Sequence, residues 1–331
     1  MATTAVHTCP RCGLRFATTA EMDDHLVTDH HVVLRRMAYP ERMRAQPAGL
    51  APPVCGVLAV PVDASREPSC GVGIAAALAR QAALGLDFVA VRPPWLSRAA
   101  TEAHLAARAG EASAAGAPST SWRDLGEGDP AEQILEHVEA TKPALLCMAT
   151  RSRGPLGGAV LGSVCEAVLR RAPVPVVLVG PRARPPAAPY RRLIVGIDGS
   201  TLAAHAATVA MELGGLLSAE VFLVEVREPG CLPDDVSEMA DLSRLAAALG
   251  QSPVGYDILH GRHAAGAILD HGRHREDSLF VLGTHGRSHL RRLTMGSVAL
   301  DVVRGADCPV IVVPDAARMV HAPATRVAGK A

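Results

Sequence analysis

The 331-residue chain is 49% hydrophobic and 20% charged, a composition that excludes an intrinsically disordered protein and allows two ordinary domains. Lys plus Arg and Asp plus Glu each number 33, so no net field draws the chain to nucleic acid or to an anionic membrane, and any such partner must be met by a local patch. The longest apolar runs, such as 174–179 and 310–313, are strand-sized and short of the ~20 residues that span a bilayer; with no long apolar core near the N-terminus, a cytoplasmic location is expected.

The first predicted element is a small metal module over 1–34. Cys9, two residues, Cys12, twelve residues, His25, four residues, His30 is the spacing of a two-Cys, two-His zinc finger, with Phe16 and Met22 at its two core apolar positions. So small a ββα unit cannot bury enough apolar surface to fold alone, so Zn²⁺ must supply the missing free energy. His31 is an alternative fourth ligand. DNA readout is disfavoured: Thr18, Glu21 and Asp24 fall at the base-reading positions, and Glu21, Asp23 and Asp24 present negative charge to a polyanion. Arg35, Arg36, Arg42 and Arg44 follow in a basic linker over 35–53, and a contact with a protein partner is the expected role of the finger.

From residue 54 onward, β-branched apolar runs alternate with Ala/Leu-rich helical stretches. The first such region covers 54–180, a Pro-rich segment at 181–190 reads as an extended linker, the second region covers 191–316, and 317–331 reads as a tail. In the second region the predicted strands are 193–197, 221–226, 254–259, 279–282 and 310–313, with helices near 201–217, 235–249, 264–273 and 297–305. Continuous apolar strands separated by helices predict an α/β fold with doubly wound parallel sheets. Outside the finger the cysteines (Cys55, Cys70, Cys147, Cys165, Cys231, Cys308) are scattered among apolar neighbours, as buried thiols are.

The two regions repeat one another. Val60-Pro-Val-Asp63-Ala-Ser65 matches Val195-Gly-Ile-Asp198-Gly-Ser200 at an offset of 135, as Val89-Ala-Val-Arg92 matches Val224-Glu-Val-Arg227. Gly162-Ser163-Val164 matches Gly296-Ser297-Val298 at an offset of 134, and the run at Pro175 matches that at Pro309 at the same offset. A period this long means a duplicated domain rather than a solenoid unit. Gly283, Gly286 and Gly296-Ser297 follow a strand and open a helix, the layout of a phosphate cradle, with Arg287, Arg291 and Arg292 in the same loop. Asp198 ends the first strand of that repeat and Gly283 ends the fourth; the two would face the same crevice if these strands lie side by side.

These residues together resemble the universal stress protein family in tandem form. Asp198, Gly283-x-x-Gly286, nine residues, Gly296-Ser297 and the closing Cys308-Pro309-Val310 match the pattern of its ATP-binding branch. The resemblance implies a five-stranded parallel sheet in each repeat, pairing of the repeats as a pseudo-dimer through their last strands, and binding of ATP or a related adenine nucleotide with Mg²⁺ or Mn²⁺ on its phosphates. Gly283, Gly286, Arg287, Gly296 and Ser297 would hold phosphates, with Asp198 by the ribose and adenine. The first repeat keeps Asp63, Gly162 and Ser163 but carries Ala149 and Ser152 where the cradle glycines stand, so its site is a weaker one. Gly154, Gly157 and Gly158 could supply another cradle there.

Other chemistries are poorly supported. Gly71-x-Gly73-x-x-Ala76 imitates a dinucleotide fingerprint, but residues 63–69 intervene after the strand and Arg92 stands where an acid is needed. No Gly-x-x-x-x-Gly-Lys-Ser/Thr run exists. Asp198 and His285 are the only titratable side chains that can be placed near the phosphates, so a binding protein with at most weak ATP hydrolysis is expected. The competing readings are a regulator tethered to DNA by the finger and a slow nucleotide hydrolase. A further homodimer is compatible with the pattern.

Overall fold

The computed structural model describes residues 7–8, 15–16, 56–65, 71–150, 161–227, 255–273, 277–284 and 295–314. The helix anticipated at 235–249, the linker at 35–53 and the tail at 317–331 lie outside the described residues. At the N-terminus, β1 (His7–Thr8) and β2 (Arg15–Phe16) pair antiparallel, His7 opposite Phe16 and Thr8 opposite Arg15.

In the first repeat β3 (Val57–Pro61), β4 (Gly85–Ala90), β5 (Thr120–Asp124), β6 (Leu145–Ala149) and β7 (Val176–Val179) alternate with α1 (Gly71–Ala82), α2 (Arg98–Ala114), α3 (Pro130–Thr141) and α4 (Ser163–Arg171). The second repeat contains β8 (Arg192–Ile197), β9 (Glu220–Arg227), β10 (Gly255–His260), β11 (Ser278–Gly283) and β12 (Val310–Val313), with α5 (Thr201–Leu217), α6 (Ala264–Gly272) and α7 (Ser297–Gly305). The predicted strands and the three predicted helices within the described residues of this repeat are found within a residue or two of their expected bounds. The dinucleotide-like glycines fall inside α1, where Gly73 packs under Pro185, not in a strand-to-helix loop.

The strands form one sheet in the order β10-β9-β8-β11-β12-β7-β6-β3-β4-β5. Within each repeat all pairs are parallel; β7 and β12 meet antiparallel, Val177 opposite Ile311, so the two five-stranded sheets join through their last strands. Central strands are buried on both faces, which is why β7 and β12 read Val-Val-Leu-Val and Val-Ile-Val-Val. Helices α1, α2 and α5 cover one face and α3, α4, α6 and α7 the other. Local chemistry sets their starts. Ser97 and Ser200 accept from the N–H of Ala100 and Ala203, and Asp129 accepts from Ala131 and Glu132 ahead of Pro130.

The repeats diverge beneath the helices at one matched pair. In repeat 1, Asp87 on β4 takes His137 Nε2 at 2.8 Å and the Ser121 hydroxyl at 2.7 Å. In repeat 2 the positions 135 and 134 further on hold Phe222 and His271, whose rings stack with centroids 5.5 Å apart. Burial acts to raise the Asp87 carboxyl, but the hydrogen bonds from His137 and Ser121 and the charges of His137 and Arg123 outweigh it and hold the group below the ordinary carboxylate range. A depressed carboxylate contributes stability that is present above its unfolded value of about 3.9 and is lost as pH falls through the lower folded value. Asp87→Asn is therefore expected to cost about 1–2 kcal/mol at pH 7 and to flatten the stability profile below pH 4. Urea titrations across that range measure both effects; an unchanged acid limb contradicts the assignment.

The segment between the repeats is packed rather than free. Ala183 is fully buried, the Arg184 N–H donates to the Asp307 carbonyl at 2.9 Å, and Arg182 Nε donates to the Asp307 carboxylate at 2.9 Å. Tyr190 closes the segment, 1% exposed, with its hydroxyl unpartnered among the described residues. Burial pushes its phenol well above the ordinary value, with the Cys308 and Cys147 thiols nearby adding to the shift. An orphaned buried hydroxyl is a net cost, so Tyr190→Phe is expected to leave stability unchanged or raise it by up to ~1 kcal/mol, read as the urea midpoint. A loss of more than ~1 kcal/mol contradicts the orphan assignment.

Candidate functional site

In both repeats the local strand order is third-second-first-fourth-fifth, and the order reverses between the first and fourth strands. Ligands in such sheets sit outside the carboxyl ends at that reversal. In repeat 2 the two strands are β8 and β11, direct neighbours with Val195 opposite Val281. Continuing that register sets Asp198, just past β8, beside Thr284, just past β11. The condition for a shared crevice is met: β8 and β11 lie side by side, and Asp198 and Gly283 at their carboxyl ends are both half-buried.

Each part is fixed by its own chemistry. Asp198 accepts from the Ser200 N–H at 3.0 Å through a tight turn whose middle residue, Gly199, has φ +77, a conformation that favours glycine. Ser200 then caps α5, so one short segment both orients the carboxylate and starts the helix. On the facing side the Thr284 N–H donates to the Val313 carbonyl at 3.1 Å, and the Thr284 carbonyl accepts from the Gly296 N–H at 2.6 Å. These bonds draw the end of β11 and the start of α7 together. Gly296 caps α7 without a side-chain bond, so the first-turn N–H groups of this helix, beginning at the exposed Ser297, receive nothing from their cap residue. A helix start of this kind, beside a glycine, accepts an anion.

Repeat 1 reproduces the frame with altered contents. Asp63 accepts from both the N–H and the hydroxyl of Ser65, at 3.0 and 2.6 Å. Thr150 holds the Val179 carbonyl through its N–H at 3.0 Å, as Thr284 holds that of Val313. Gly162 caps α4 without a side-chain bond and Ser163 is exposed. At the place of Gly283 stands Ala149, whose side chain is exposed at the crevice mouth, adding a Cβ where main chain would approach a ligand.

Comparison with known proteins now decides the family. The pattern of the universal stress protein family matches residues 57–180 and again 189–314. The chain belongs to the universal stress protein family. It is 30% identical over 190 residues to a universal stress protein of Mycobacterium tuberculosis and 28% identical over 141 residues to one of Methanocaldococcus jannaschii. Those matches cover 53% and 38% of this chain and 63% and 82% of the relatives. A second Mycobacterium tuberculosis member, 27% identical, is covered over 58% of its length, so the chain spans about three fifths of the mycobacterial relatives. Among solved structures, a putative universal stress protein from Pseudomonas aeruginosa superposes with a TM-score of 0.56 at 19% identity, over 78% of this chain and 92% of that one. That likeness concerns the fold alone.

Within this universal stress fold the strand register sets Asp198 beside Thr284, whose carbonyl bonds the Gly296 N–H ahead of Ser297, and in repeat 1 the register of β3 with β6 sets Asp63 beside Thr150, next to Ala149, while Gly162 and Ser163 open α4. Gly286, Arg287, Ser152 and the alternative glycines Gly154, Gly157 and Gly158 lie outside the described residues, as do the finger positions Cys9, Cys12, His25 and His30. Among the described residues no group of His, Cys, Asp and Glu is arranged to hold a metal ion, and no helix is long and apolar enough to cross a membrane. Sequence reasoning passed over the threonines. Thr150 and Thr284 are both buried and both pin the mouth of the crevice. The signal was available, because Ala149-Thr150 and Gly283-Thr284 recur at the repeat offset of 134. Two thiols near the core are chemically quiet: burial pushes Cys165 and Cys308 up to about 12. Neither is expected to react with iodoacetamide at pH 7.5 on a timescale of minutes, and rapid alkylation of either in the native protein, read by peptide mass spectrometry, contradicts the packing described.

Proposed function

We propose that the chain is a regulatory protein of the stress response that binds ATP, or a related adenine nucleotide, in the crevice of repeat 2. The observation that carries this reading is the convergence of three features at the strand-order reversal: the Asp198 carboxylate, the glycine end of β11, and a helix start whose glycine cap leaves its N–H groups to a ligand. Gly283, Gly296 and Ser297 would hold phosphate oxygens, with Gly286 and Arg287 from the same loop, and Asp198 would meet the ribose and base. Mg²⁺ or Mn²⁺ would enter with the phosphates and neutralise their charge. In repeat 1, Asp63, Ala149, Ser152, Gly162 and Ser163 form a weaker version of the site, because Ala149 adds a Cβ at the approach.

Binding without efficient turnover is the favoured activity, since no acid–base pair is recognisable around Asp198 and His285 in the sequence. Isothermal titration of ATP with Mg²⁺ tests the reading together with chromatography of the nucleotide afterwards. Saturable binding with intact ATP after hours supports it; absence of binding at millimolar nucleotide contradicts it, and stoichiometric conversion to ADP transfers the protein to the hydrolase reading.

A zinc-binding finger at the N-terminus is favoured by a separate observation. β1 and β2 pair antiparallel on either side of Cys9 and Cys12 in the sequence, the pairing expected of the ββ half of a ββα finger. His25 and His30 would complete the set, with a protein partner as the expected contact. Zinc quantified by elemental analysis should be near one per chain and should fall to background in Cys9→Ser; equal zinc in both proteins contradicts the assignment. Salt-sensitive duplex binding lost in the same variant would favour the DNA-tethered alternative.

A further inference from the structure

We propose that the two repeats form one cooperative unit in which repeat 1 responds to ligand held by repeat 2, with Gln81 as the polar lock between them. The ligand arm of this proposal rests on the nucleotide reading above; the cooperative arm does not.

Gln81 lies near the end of α1 in repeat 1, yet its side-chain amide bonds, among the described residues, to Tyr190 at the close of the inter-repeat segment and to Leu217 of repeat 2. Its Nε2 donates to the Tyr190 carbonyl at 2.5 Å and the Leu217 carbonyl at 2.7 Å, and its Oε1 accepts from the Tyr190 N–H at 2.8 Å. Both donors and the acceptor of the amide are thus used on main chain that opens and closes the first β-α unit of repeat 2. Leu217 is the last residue of α5, where carbonyls have no partner within the helix, so Gln81 satisfies a group that would otherwise be left over. The other end of α5 is capped by Ser200, whose N–H holds Asp198. A seventeen-residue helix, roughly 25 Å long, therefore runs from the candidate crevice to the lock.

The apolar packing has no break at the same place. One core joins Leu78 and Leu145 of repeat 1 to Leu193 and Ile311 of repeat 2 through Val177 and Tyr190, and the opposite core joins Val176 and Leu178 to Val310 and Val312. Domains joined by a small polar contact unfold separately, whereas a shared core transmits the loss of one part to the other. Ligand that binds only the folded state of repeat 2 then stabilises repeat 1 as well. The lock is one-sided, since the residue 135 positions after Gln81 is Leu216, which carries no polar group.

Hydrogen exchange followed by mass spectrometry across a urea series tests the proposal on the full chain, comparing peptides from β3 and β6 with peptides from β8 and β11. Tryptophan fluorescence gives an independent readout of repeat 1, because Trp95 and Trp122 are the two tryptophans of the chain. In the wild type the two sets of peptides should share one midpoint, and Gln81→Leu should lower both by the same increment. Phe88→Leu, a core change away from the lock, should also lower both, which keeps the test decisive if Gln81→Leu does not fold. Saturating ATP with Mg²⁺ should raise both together. Separate midpoints in the wild type, or a shift from either substitution confined to repeat 1, overturn the proposal, as does an ATP shift confined to repeat 2. If ATP moves neither repeat, the nucleotide reading fails and the substitution arms still decide the coupling.

Discussion

Replacing Gly283 with Val is expected to lower the affinity for ATP at least ~100-fold, a loss of about 2.7 kcal/mol, while the unfolding midpoint changes little. Gly283 is the last residue of β11, paired with Val313, and a β-branched side chain suits a strand end well enough to leave the fold intact. What it removes is access. On the proposed reading the main chain at Gly283 lies against phosphate, and two γ-methyl groups would occupy the same space. The matched change in repeat 1, Ala149→Val, should alter total nucleotide binding less than ~3-fold, a free-energy change below about 0.7 kcal/mol, because that crevice already carries a Cβ. Isothermal titration of both variants, with thermal unfolding as the control for folding, measures the contrast. Equal affinity for Gly283→Val and wild type contradicts the placement of the nucleotide.

The largest effect on stability is expected from Gly180→Ala, at about 3 kcal/mol or more. Gly180 leaves β7 directly over the end of α7, and a Cβ at this position would fall well inside contact distance of the Val303 carbonyl oxygen. That atom belongs to the main chain of a helix, so it cannot rotate away as a side chain could. Either β7 or α7 must shift, and β7 is the strand through which the repeats join. The variant should therefore unfold at a markedly lower urea concentration, and a midpoint within error of wild type contradicts the close approach. Gly215, where an added Cβ would meet no described atom within 4 Å beyond its own helix turn, provides the control: Gly215→Ala on α5 should be neutral or stabilising.

Much of this architecture was legible because two kinds of pattern agreed. The runs at 176–179 and 310–313 had to be buried strands, since a parallel sheet covered on both faces leaves no polar alternation. The near-equal offsets of 135 from Asp63 to Asp198 and 134 from Gly162 to Gly296 mark the duplication independently of any element. The crevice followed from strand order, and β8 beside β11 supplied the missing neighbour relation. Less visible was anything that depends on long-range packing. Gln81 looks like an ordinary helical polar residue, and its partners lie 109 and 136 positions away. The Pro-rich stretch after Gly180 suggested an extended linker, because composition reports stiffness but not what a chain lies against. Its Ala183 and Tyr190 are in fact core residues. The replacement of an Asp87–His137 pair by a Phe222–His271 stack was equally hidden, since only the histidine recurs in sequence.

Native mass spectrometry of the full chain, titrated with ATP and Mg²⁺, distinguishes the two crevices by counting nucleotides per molecule. One adenine nucleotide per chain at low micromolar excess, lost in Gly283→Val and retained in Ala149→Val, is the predicted result. Two equivalent nucleotides per chain, or none at any concentration, would contradict an intact crevice in repeat 2 and an eroded one in repeat 1.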